Sequence, residues 1–270
     1  MIIGNRAFDL EQNTYLMGIL NVTPDSFSDG GKWNSLEAAK EHTADMIRQG
    51  ADIIDIGGES TRPGYTMLSD EEEIQRVVPA IRMVKEHFDI PVSVDTYKSA
   101  VAQAAIEAGA DMVNDIWGLK YDDKLAGVIA GAKVPCCLMH NRNQADYGNF
   151  MEEFLEDLKE TLKIAEDAGI PKEQIILDPG VGFGKTYEQN LEVIRRLDQM
   201  RKLGCPVLLG TSRKSVVGLT LDLPADQRLE GTLATTVMGV ERGASVIRVH
   251  DIRENARVIR MTRAILRGKA

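Results

Sequence analysis

Residues 91–113 read PVSVDTYKSAVAQAAIEAGADMV and contain one complete strand–helix–strand unit. The apolar run Pro91–Val94 predicts a buried strand, and Lys98–Ala108 carries apolar residues at helical spacing. Gly109 suits the position that follows a helix end, and the next apolar run begins at Met112. Both strands are continuous apolar runs rather than alternating patterns, which is typical of parallel strands that are buried on both faces.

The same unit recurs along the chain. The apolar runs that predict strands are Tyr15–Leu20, Ile53–Ile56, Pro91–Val94, Met112–Val113, Pro135–Met139, Ile175–Leu177, Pro206–Leu209 and Ser245–Val249. Amphipathic stretches separate these runs, and two of the later ones, Tyr187–Leu203 and Ala225–Arg242, are each predicted to be one helix. Eight alternating units in 270 residues favour a closed (β/α)8 TIM barrel, a fold of about 250 residues, over an open sheet.

The predicted fold class is therefore α/β, with one barrel and a short N-terminal hairpin. The first 14 residues precede the first strand, and we expect them to form this hairpin and to plug the bottom of the barrel. The chain has no low-complexity segment and no Gly/Ser linker, so residues 1–270 are predicted to form a single domain.

Composition argues against several classes of function. The formal net charge is −9 and no block of lysine and arginine is present, so we expect no nucleic-acid partner. No apolar stretch approaches the roughly 20 residues of a membrane helix, so we expect no association with membranes. Cys136, Cys137 and Cys205 lack the spacing of metal or redox motifs and are predicted to be buried thiols, which fits a cytoplasmic protein.

The polar residues that follow the predicted strands separate by their chemistry. In such a barrel the active site forms at the carboxyl ends of the strands. Carboxylates or carboxamides follow strands three, four and six, whereas cations follow strands seven and eight. This separation predicts a ligand with an N–H donor edge at one end and an anion at the other; a pterin, an adenine and a guanine each offer such an edge. The residues are Asp95, Asn114 and Asp178 on one side and Arg213, Lys214, Arg248 and His250 on the other.

Glycine-rich and long loops lie beside the predicted site. Gly180–Thr186 reads GVGFGKT, but three residues separate Gly180 from Gly184, whereas a P-loop has four before its Gly-Lys pair. We therefore expect a tight loop beside the pocket rather than a triphosphate site. Two longer loops, Thr23–Asn34 and Ser60–Met67, are expected to act as lids that exclude water.

Seven segments together resemble the dihydropteroate synthases. They read GILNVTPDSFSDGG, DIIDIGGESTRPG, VSVDTYK, MVNDIWG, ILDPGVGFGKT, LLGTSRKS and IRVHD, and they extend from residue 18 to residue 251. The resemblance implies a transferase that condenses 6-hydroxymethyl-7,8-dihydropterin pyrophosphate with p-aminobenzoate, giving 7,8-dihydropteroate and pyrophosphate. It also implies Mg²⁺ on the pyrophosphate and a homodimer that pairs through its last helices.

The resemblance further implies a role for each matching residue. Pterin binding falls to Asp95, Asn114, Ile116, Met139, Asp178, Phe183, Lys214 and Arg248. Pyrophosphate binding falls to Asn21, Thr61, Arg62, Arg248 and His250, with Asn21 also at the Mg²⁺ ligand position. The p-aminobenzoate site comprises Phe27, Pro63, Arg213, Lys214 and Ser215, and the residues expected at the reacting centre are Asp29, Asp95, Lys214 and Arg248.

The expected chemistry is SN1-like, because departure of pyrophosphate leaves an exocyclic CH2 cation that the electron-rich ring stabilises. The protein must stabilise the departing anion, favour a positive ring, for which Asp95 is the candidate, and keep water away. The amine of p-aminobenzoate is a nucleophile when neutral, so no strong general base is required.

Two other functions stay open on the sequence. A pterin-binding methyltransferase domain uses the same barrel, although the STRPG loop and the cations of SRK and RVH count against it. A catalytically silent pterin-binding paralogue is expected to have lost loop or anion-site residues, and here those residues are present.

Overall fold

The computed structural model describes residues 1–22, 31–59 and 67–268, with the backbone alone at residues 31–35. The strands in these ranges are β1 (Ile2–Ile3), β2 (Arg6–Ala7), β3 (Tyr15–Asn21), β4 (Ile53–Gly57), β5 (Val92–Asp95), β6 (Met112–Asp115), β7 (Cys136–Met139), β8 (Ile175–Asp178), β9 (Leu208–Leu209) and β10 (Val246–Val249). The α-helices are α1 (Gly31–Gln49), α2 (Asp70–His87), α3 (Ser99–Glu107), α4 (Leu125–Ala132), α5 (Phe150–Asp167), α6 (Tyr187–Arg195), α7 (Ser215–Leu221), α8 (Leu229–Glu241) and α9 (Ile252–Arg267).

Strands β3 to β10 form one parallel sheet in the order β8-β7-β6-β5-β4-β3-β10-β9. The two ends of the sheet meet, because Leu177 of β8 forms a parallel bridge with Val207, just before β9. The Leu177 N–H also donates to the Pro206 carbonyl at 2.9 Å. The sheet is thus a closed eight-stranded barrel, and the predicted fold class is confirmed.

The N-terminal hairpin closes the bottom of this barrel. β1 and β2 pair antiparallel, and Ile3, Phe8 and Leu10 of this segment are buried. They share one apolar cluster with barrel residues of the lower layer, namely Met17, Ile53, Met112, Cys137, Ile176, Leu208 and Val246. The predicted plug is therefore present, and it leaves the carboxyl ends of the strands as the end where a ligand can enter.

Strand β5 illustrates how the barrel directs polar residues inward. Val92 and Val94 are fully buried in the apolar layer between the sheet and the helices. Because side chains alternate along a strand, Ser93 and Asp95 face the interior. A polar residue at the last inward position of a strand therefore lies at the mouth of the barrel.

Two predicted helices are interrupted. α6 ends at Arg195, and Leu197–Leu203 is a 3-10 helix. The spacing of apolar residues over two turns does not distinguish a 3-10 helix from an α-helix. In the stretch predicted as one helix over Ala225–Arg242, a 3-10 turn and the non-helical Arg228 precede α8. The Arg228 guanidinium holds this break, since it donates to the Leu223 carbonyl at 2.9 Å.

The cysteines follow the prediction: Cys136, Cys137 and Cys205 are buried and free. The cytoplasmic location inferred from them stays a prediction. Among the helices in the described ranges, none combines the length and the apolar character needed to cross a bilayer.

Candidate active site

Arg248 joins two carboxylates inside the carboxyl end of the barrel. Its Nε donates to Asp55 Oδ2 and its Nη2 donates to Asp95 Oδ2, each at 2.6 Å. Asn114 donates through Nδ2 to the same Asp55 oxygen at 3.1 Å. The side chains come from β4, β5, β6 and β10. They meet because each occupies an inward-facing position near the carboxyl end of its strand.

Burial governs the ionisation of this group. It raises the pKa of Asp95 to about 7, although the Arg248 cation opposes the rise, and the Asp55 carboxylate adds to it. Burial disfavours the Arg248 cation, but the Asp55 and Asp95 carboxylates outweigh it and raise the pKa of Arg248. Asp95 therefore exchanges its proton near neutral pH, as expected of a carboxyl group at a functional site, while Arg248 stays charged.

Asp178 and Lys214 provide a further carboxylate and a further cation. A Cβ atom placed on Gly210 would lie 3.8 Å from Asp178 Oδ2 and 3.9 Å from Arg248 Cβ, so Asp178 borders the Arg248 group. Burial raises the pKa of Asp178, against the effect of the Lys214 cation. Lys214 donates through Nζ to the Val181 carbonyl at 2.6 Å, and burial lowers its pKa to about 8, against the effect of Asp178.

A small apolar cluster, separate from the main core, adjoins these polar groups. It contains the buried Tyr97, Ile116 and Met139 and the partly buried Trp117 and Phe183. The structure thus brings together all three side chains that were predicted to wall a pterin slot. The sequence analysis did not predict Tyr97 and Trp117 as members of this cluster. The sequence did offer a signal for them: Tyr97 follows Asp95 by two positions and Trp117 follows Asn114 by three, so each aromatic residue lies just after a strand end.

Partners on neighbouring segments hold the predicted anion-binding residues. The Nδ1 atom of His250 lies 2.9 Å from Ser212 Oγ. Arg213 makes a two-point ion pair with Asp251, with Nε–Oδ2 and Nη2–Oδ1 distances of 3.1 Å and 2.5 Å. The φ of Arg213 is 58°, which is uncommon for a residue with a side chain. Ser215 is exposed and begins α7, a helix that the sequence did not predict.

The sequence analysis did not predict the ion pair between Arg213 and Asp251. Asp251 is the last residue of the IRVHD segment, in which only the cations Arg248 and His250 had been considered. Nor was a role assigned to Asp55, which is fully buried and whose Oδ1 has no hydrogen-bond partner among the described residues. The signal for Asp55 was a carboxylate inside the apolar run IIDIG, since a buried charge requires a partner.

Asn21 ends β3 and lies close to Asp95. A Cβ atom placed on Gly57 would lie 3.6 Å from Asn21 Oδ1 and 3.7 Å from Asp95 Oδ2, so both side chains border the space above Gly57. The remaining predicted site residues lie outside the described residues: Phe27, Asp29, Thr61, Arg62 and Pro63.

Comparison with known proteins places this arrangement in a family. Residues 17–250 match the family described as pterin binding enzyme. The dihydropteroate synthase of Clostridium beijerinckii is 60% identical over 268 residues, which cover 99% of this chain and 100% of the relative. Two solved structures share the fold closely. The dihydropteroate synthase of Clostridium difficile in the presence of pteroic acid has a TM-score of 0.94 at 52% identity, covering 97% of this chain and 100% of that one.

The second is the dihydropteroate synthase of Xanthomonas albilineans with 4-aminobenzoic acid, with a TM-score of 0.92 at 40% identity. It covers 97% of this chain and 96% of the Xanthomonas chain. Identity of this size over nearly the whole length, together with the matching family model, decides the classification. The chain belongs to the pterin-binding enzymes and, within them, to the dihydropteroate synthase family of transferases in folate biosynthesis.

Proposed function

We propose that the chain catalyses the reaction of its family, in which 6-hydroxymethyl-7,8-dihydropterin pyrophosphate and p-aminobenzoate give 7,8-dihydropteroate and pyrophosphate. The observation that carries the proposal is the convergence of carboxylates and cations beside one apolar cluster at the barrel mouth. We call these polar residues the pterin cluster: Asp95, Asn114, Asp178, Lys214 and Arg248. The relative in the presence of pteroic acid supports a pteroate-like ligand.

The pterin cluster suits a ring with an amidine-like edge. Asp95 and Asp178 each offer a carboxylate that can accept parallel N–H bonds, and Asn114 can donate as well as accept. The apolar cluster around Ile116 and Met139 supplies flat walls for the ring. In this assignment Arg248 lies against the ring while Asp55 holds its Nε from behind.

Pyrophosphate binding is assigned to the cations and to Asn21. Arg248 lies in β10 and His250 follows that strand at the carboxyl end of the barrel, and Thr61 and Arg62 are included because they match the family motif. Mg²⁺ prefers oxygen ligands and usually combines one or two side chains with substrate phosphates and water. Within the described ranges no group of three His, Cys, Asp or Glu side chains that could hold a metal ion is found. The amide oxygen of Asn21, which borders the same space as Asp95, fits Mg²⁺ that is shared with the substrate pyrophosphate, where the ion would neutralise the departing anion.

The reaction proceeds by breaking one bond and forming another. The C–O bond between the exocyclic CH2 and pyrophosphate breaks, and its electron pair leaves with the pyrophosphate. The nitrogen lone pair of p-aminobenzoate then forms the C–N bond, and the resulting ammonium loses one proton to water. Ionised Asp95 favours the positive ring between these steps. Arg213, Lys214 and Ser215, with Phe27 and Pro63, are assigned to the p-aminobenzoate side, and Asp29 is assigned to the reacting centre.

The experiment measures pyrophosphate release from the pterin substrate with Mg²⁺, with and without p-aminobenzoate. Wild type should release pyrophosphate and form dihydropteroate, whereas Lys214→Ala should be about 10- to 100-fold slower, the cost of one charge-assisted hydrogen bond. Lys163→Ala on α5 is the matched control, because the Lys163 side chain is 63% exposed and pairs with Asp167 of the same helix. Pterin binding without release under any condition would contradict the synthase assignment and leave a silent paralogue or a methyltransferase domain.

We also propose that two copies pair through α9. Its outer face carries exposed apolar residues: Met261 is 61% exposed, Ile265 67% and Leu266 54%. Ile259 of the same helix is buried and packs into the core. Sedimentation velocity at micromolar concentration should give a dimer for wild type and a monomer for Ile265→Glu, and a monomeric wild type would overturn this proposal.

A further inference from the structure

Lys185, the lysine of the GKT segment, directs its ammonium into the protein. Its Nζ lies 2.8 Å from His140 Nδ1, 3.0 Å from the Phe183 carbonyl and 3.1 Å from the Gly180 carbonyl. Three acceptors at these distances match the three donors of an ammonium group. This lysine therefore serves protein acceptors rather than a phosphate.

The loop around Lys185 depends on such a donor. A Cβ atom on Gly180 would lie 1.9 Å from the His140 carbonyl oxygen, and one on Gly184 would lie 2.4 Å from the Arg142 carbonyl oxygen. The backbone of this loop thus lies directly against the segment that follows β7, and both glycines have positive φ values, of 66° and 52°. Close backbone packing turns carbonyl groups away from water, and buried carbonyls need a donor. Lys185 provides a donor for the Phe183 carbonyl and a second donor for the Gly180 carbonyl, which also accepts from the Phe183 N–H at 3.1 Å.

The segment after β7, against which this loop packs, is held in place by hydrogen bonds to Asp157. His140 Nε2 lies 2.9 Å from Asp157 Oδ2, and Arg142 donates to the two Asp157 oxygens at 2.6 Å and 3.0 Å. Burial lowers the pKa of His140 to about 4, so the ring is neutral at pH 7. Because Lys185 donates to Nδ1, the ring proton lies on Nε2 and points at Asp157. Lys185 is thereby connected to β7 and α5.

The segment that Lys185 holds carries two groups of the proposed pterin site. The Val181 carbonyl accepts the Lys214 hydrogen bond at 2.6 Å, and Lys214 Nζ lies 4.8 Å from the centroid of the Phe183 ring. The Phe183 carbonyl, in turn, is one of the acceptors of Lys185. Lys185 thus holds the backbone segment that carries both the Phe183 ring and the Val181 carbonyl to which Lys214 donates.

We propose that Lys185 is a positioning residue: it fixes the segment from Gly180 to Phe183 against His140 and so places the Phe183 ring and aims Lys214 at the pterin. The proposal rests on the pterin roles of Phe183 and Lys214 given above. Burial lowers the pKa of Lys185 to about 7, which is the expected consequence of holding an ammonium group behind the pocket.

Lys185→Met tests the proposal, because it removes the donors and keeps the length of the side chain. We expect the Kd and KM for the pterin substrate to rise about tenfold, the size expected when a charge-assisted hydrogen bond is lost, while kcat changes less than about threefold. Lys185→Gln keeps two N–H donors and should fall between wild type and Lys185→Met. Lys163→Met is the matched control on the exposed face of α5 and should leave both constants unchanged.

A double-variant cycle with Phe183→Ala separates positioning from general stability. If Lys185 acts through this segment, the effects of Lys185→Met and Phe183→Ala on pterin Kd should be less than additive. A lower Tm with unchanged pterin Kd and KM would overturn the proposal, since it would mean a structural role only. Wild type that binds the pterin but releases no pyrophosphate would instead contradict the proposed function and leave this test intact.

Tyr147→Phe covers the case in which neither Lys185 variant folds. The Tyr147 hydroxyl donates to the Gly184 carbonyl at 2.8 Å and ties the same loop to the segment after β7. Loss of this one hydroxyl should raise the pterin KM two- to fivefold, as expected for a neutral hydrogen bond, with kcat preserved. An unchanged pterin KM in Tyr147→Phe would then overturn the proposal.

Discussion

Asp55→Asn removes one of the two carboxylates that hold Arg248. The Asp55 side chain is fully buried, and its Oδ2 accepts from both Arg248 Nε and Asn114 Nδ2. An asparagine has nearly the same shape and keeps one oxygen for Arg248. The change therefore isolates the negative charge from the packing around it.

The expected loss of stability follows from these contacts. Removing one partner of a buried ion pair costs about 3–5 kcal/mol, and losing a hydrogen bond to a charged group costs about 1.5–3 kcal/mol. The asparagine oxygen retains a neutral acceptor for Arg248, and Asp95 still balances the guanidinium at 2.6 Å. We therefore expect the free energy of unfolding to fall by about 2 kcal/mol, which is less than the cost of a fully broken ion pair and within the range for a lost hydrogen bond to a charged group.

Asp55→Asn should also change the pKa of Asp95. The Asp55 carboxylate contributes to the raised pKa of Asp95, so its removal should lower the pKa of Asp95 from about 7. Urea unfolding measures the stability, with an unchanged m-value as the check that the folded state is intact. Asp167→Asn on the surface of α5 is the control and should stay within about 0.5 kcal/mol of wild type. An Asp55→Asn protein as stable as this control, with an unshifted Asp95 pKa, would refute the reasoning.

The pH profile of kcat/KM should be bell-shaped with its maximum between pH 7 and 8, because ionised Asp95, of pKa about 7, and protonated Lys214, of pKa about 8, are both required. Asp95→Asn should remove the rising limb and Lys214→Arg the falling limb; a flat profile in wild type between pH 6 and 9 would contradict both assignments. Asp251→Asn should raise the KM for p-aminobenzoate several-fold with little change in kcat, because Arg213 loses its two-point partner. Steady-state kinetics at saturating pterin substrate checks this, and an unchanged KM would mean that Arg213 needs no support from Asp251.

The barrel could be predicted because its strands are short apolar runs, and polar residues lie at or soon after the ends of most of them. This pattern survives in β5, where Pro91–Val94 was predicted and Val92–Asp95 is observed. Helix α7 was missed for the opposite reason: its sequence, SVVGLTL, offers no polar face to mark it as a surface helix. The 3-10 segment after α6 was missed because turns of 3.0 and 3.6 residues place apolar side chains alike over a short stretch.

That the side chains of the site would gather at the barrel mouth was predictable from residue type, but their pairing was not. Asp95, Asn114, Asp178 and Lys214 were named because each lies at or after the end of a predicted strand, and Arg248 was named because the eighth strand carries it. That Arg248 would lie between Asp55 and Asp95 depends on barrel closure, which brings together residues 193 and 153 positions apart. No local pattern carries such information, and the pairing follows only once the sheet has its register.

The protonation state of Asp95 follows first from its burial and then from the charges around it. Burial raises the pKa of Asp95 to about 7; the Arg248 and Lys214 cations oppose this rise, and the Asp55 and Glu73 carboxylates add to it. A pterin ring that becomes positive as pyrophosphate departs would bring a further cation to Asp95. The burial that makes Asp95 difficult to ionise in the free protein therefore makes its ionised form most favourable when the ring carries the charge, which is the condition for stabilising a transition state rather than the substrate.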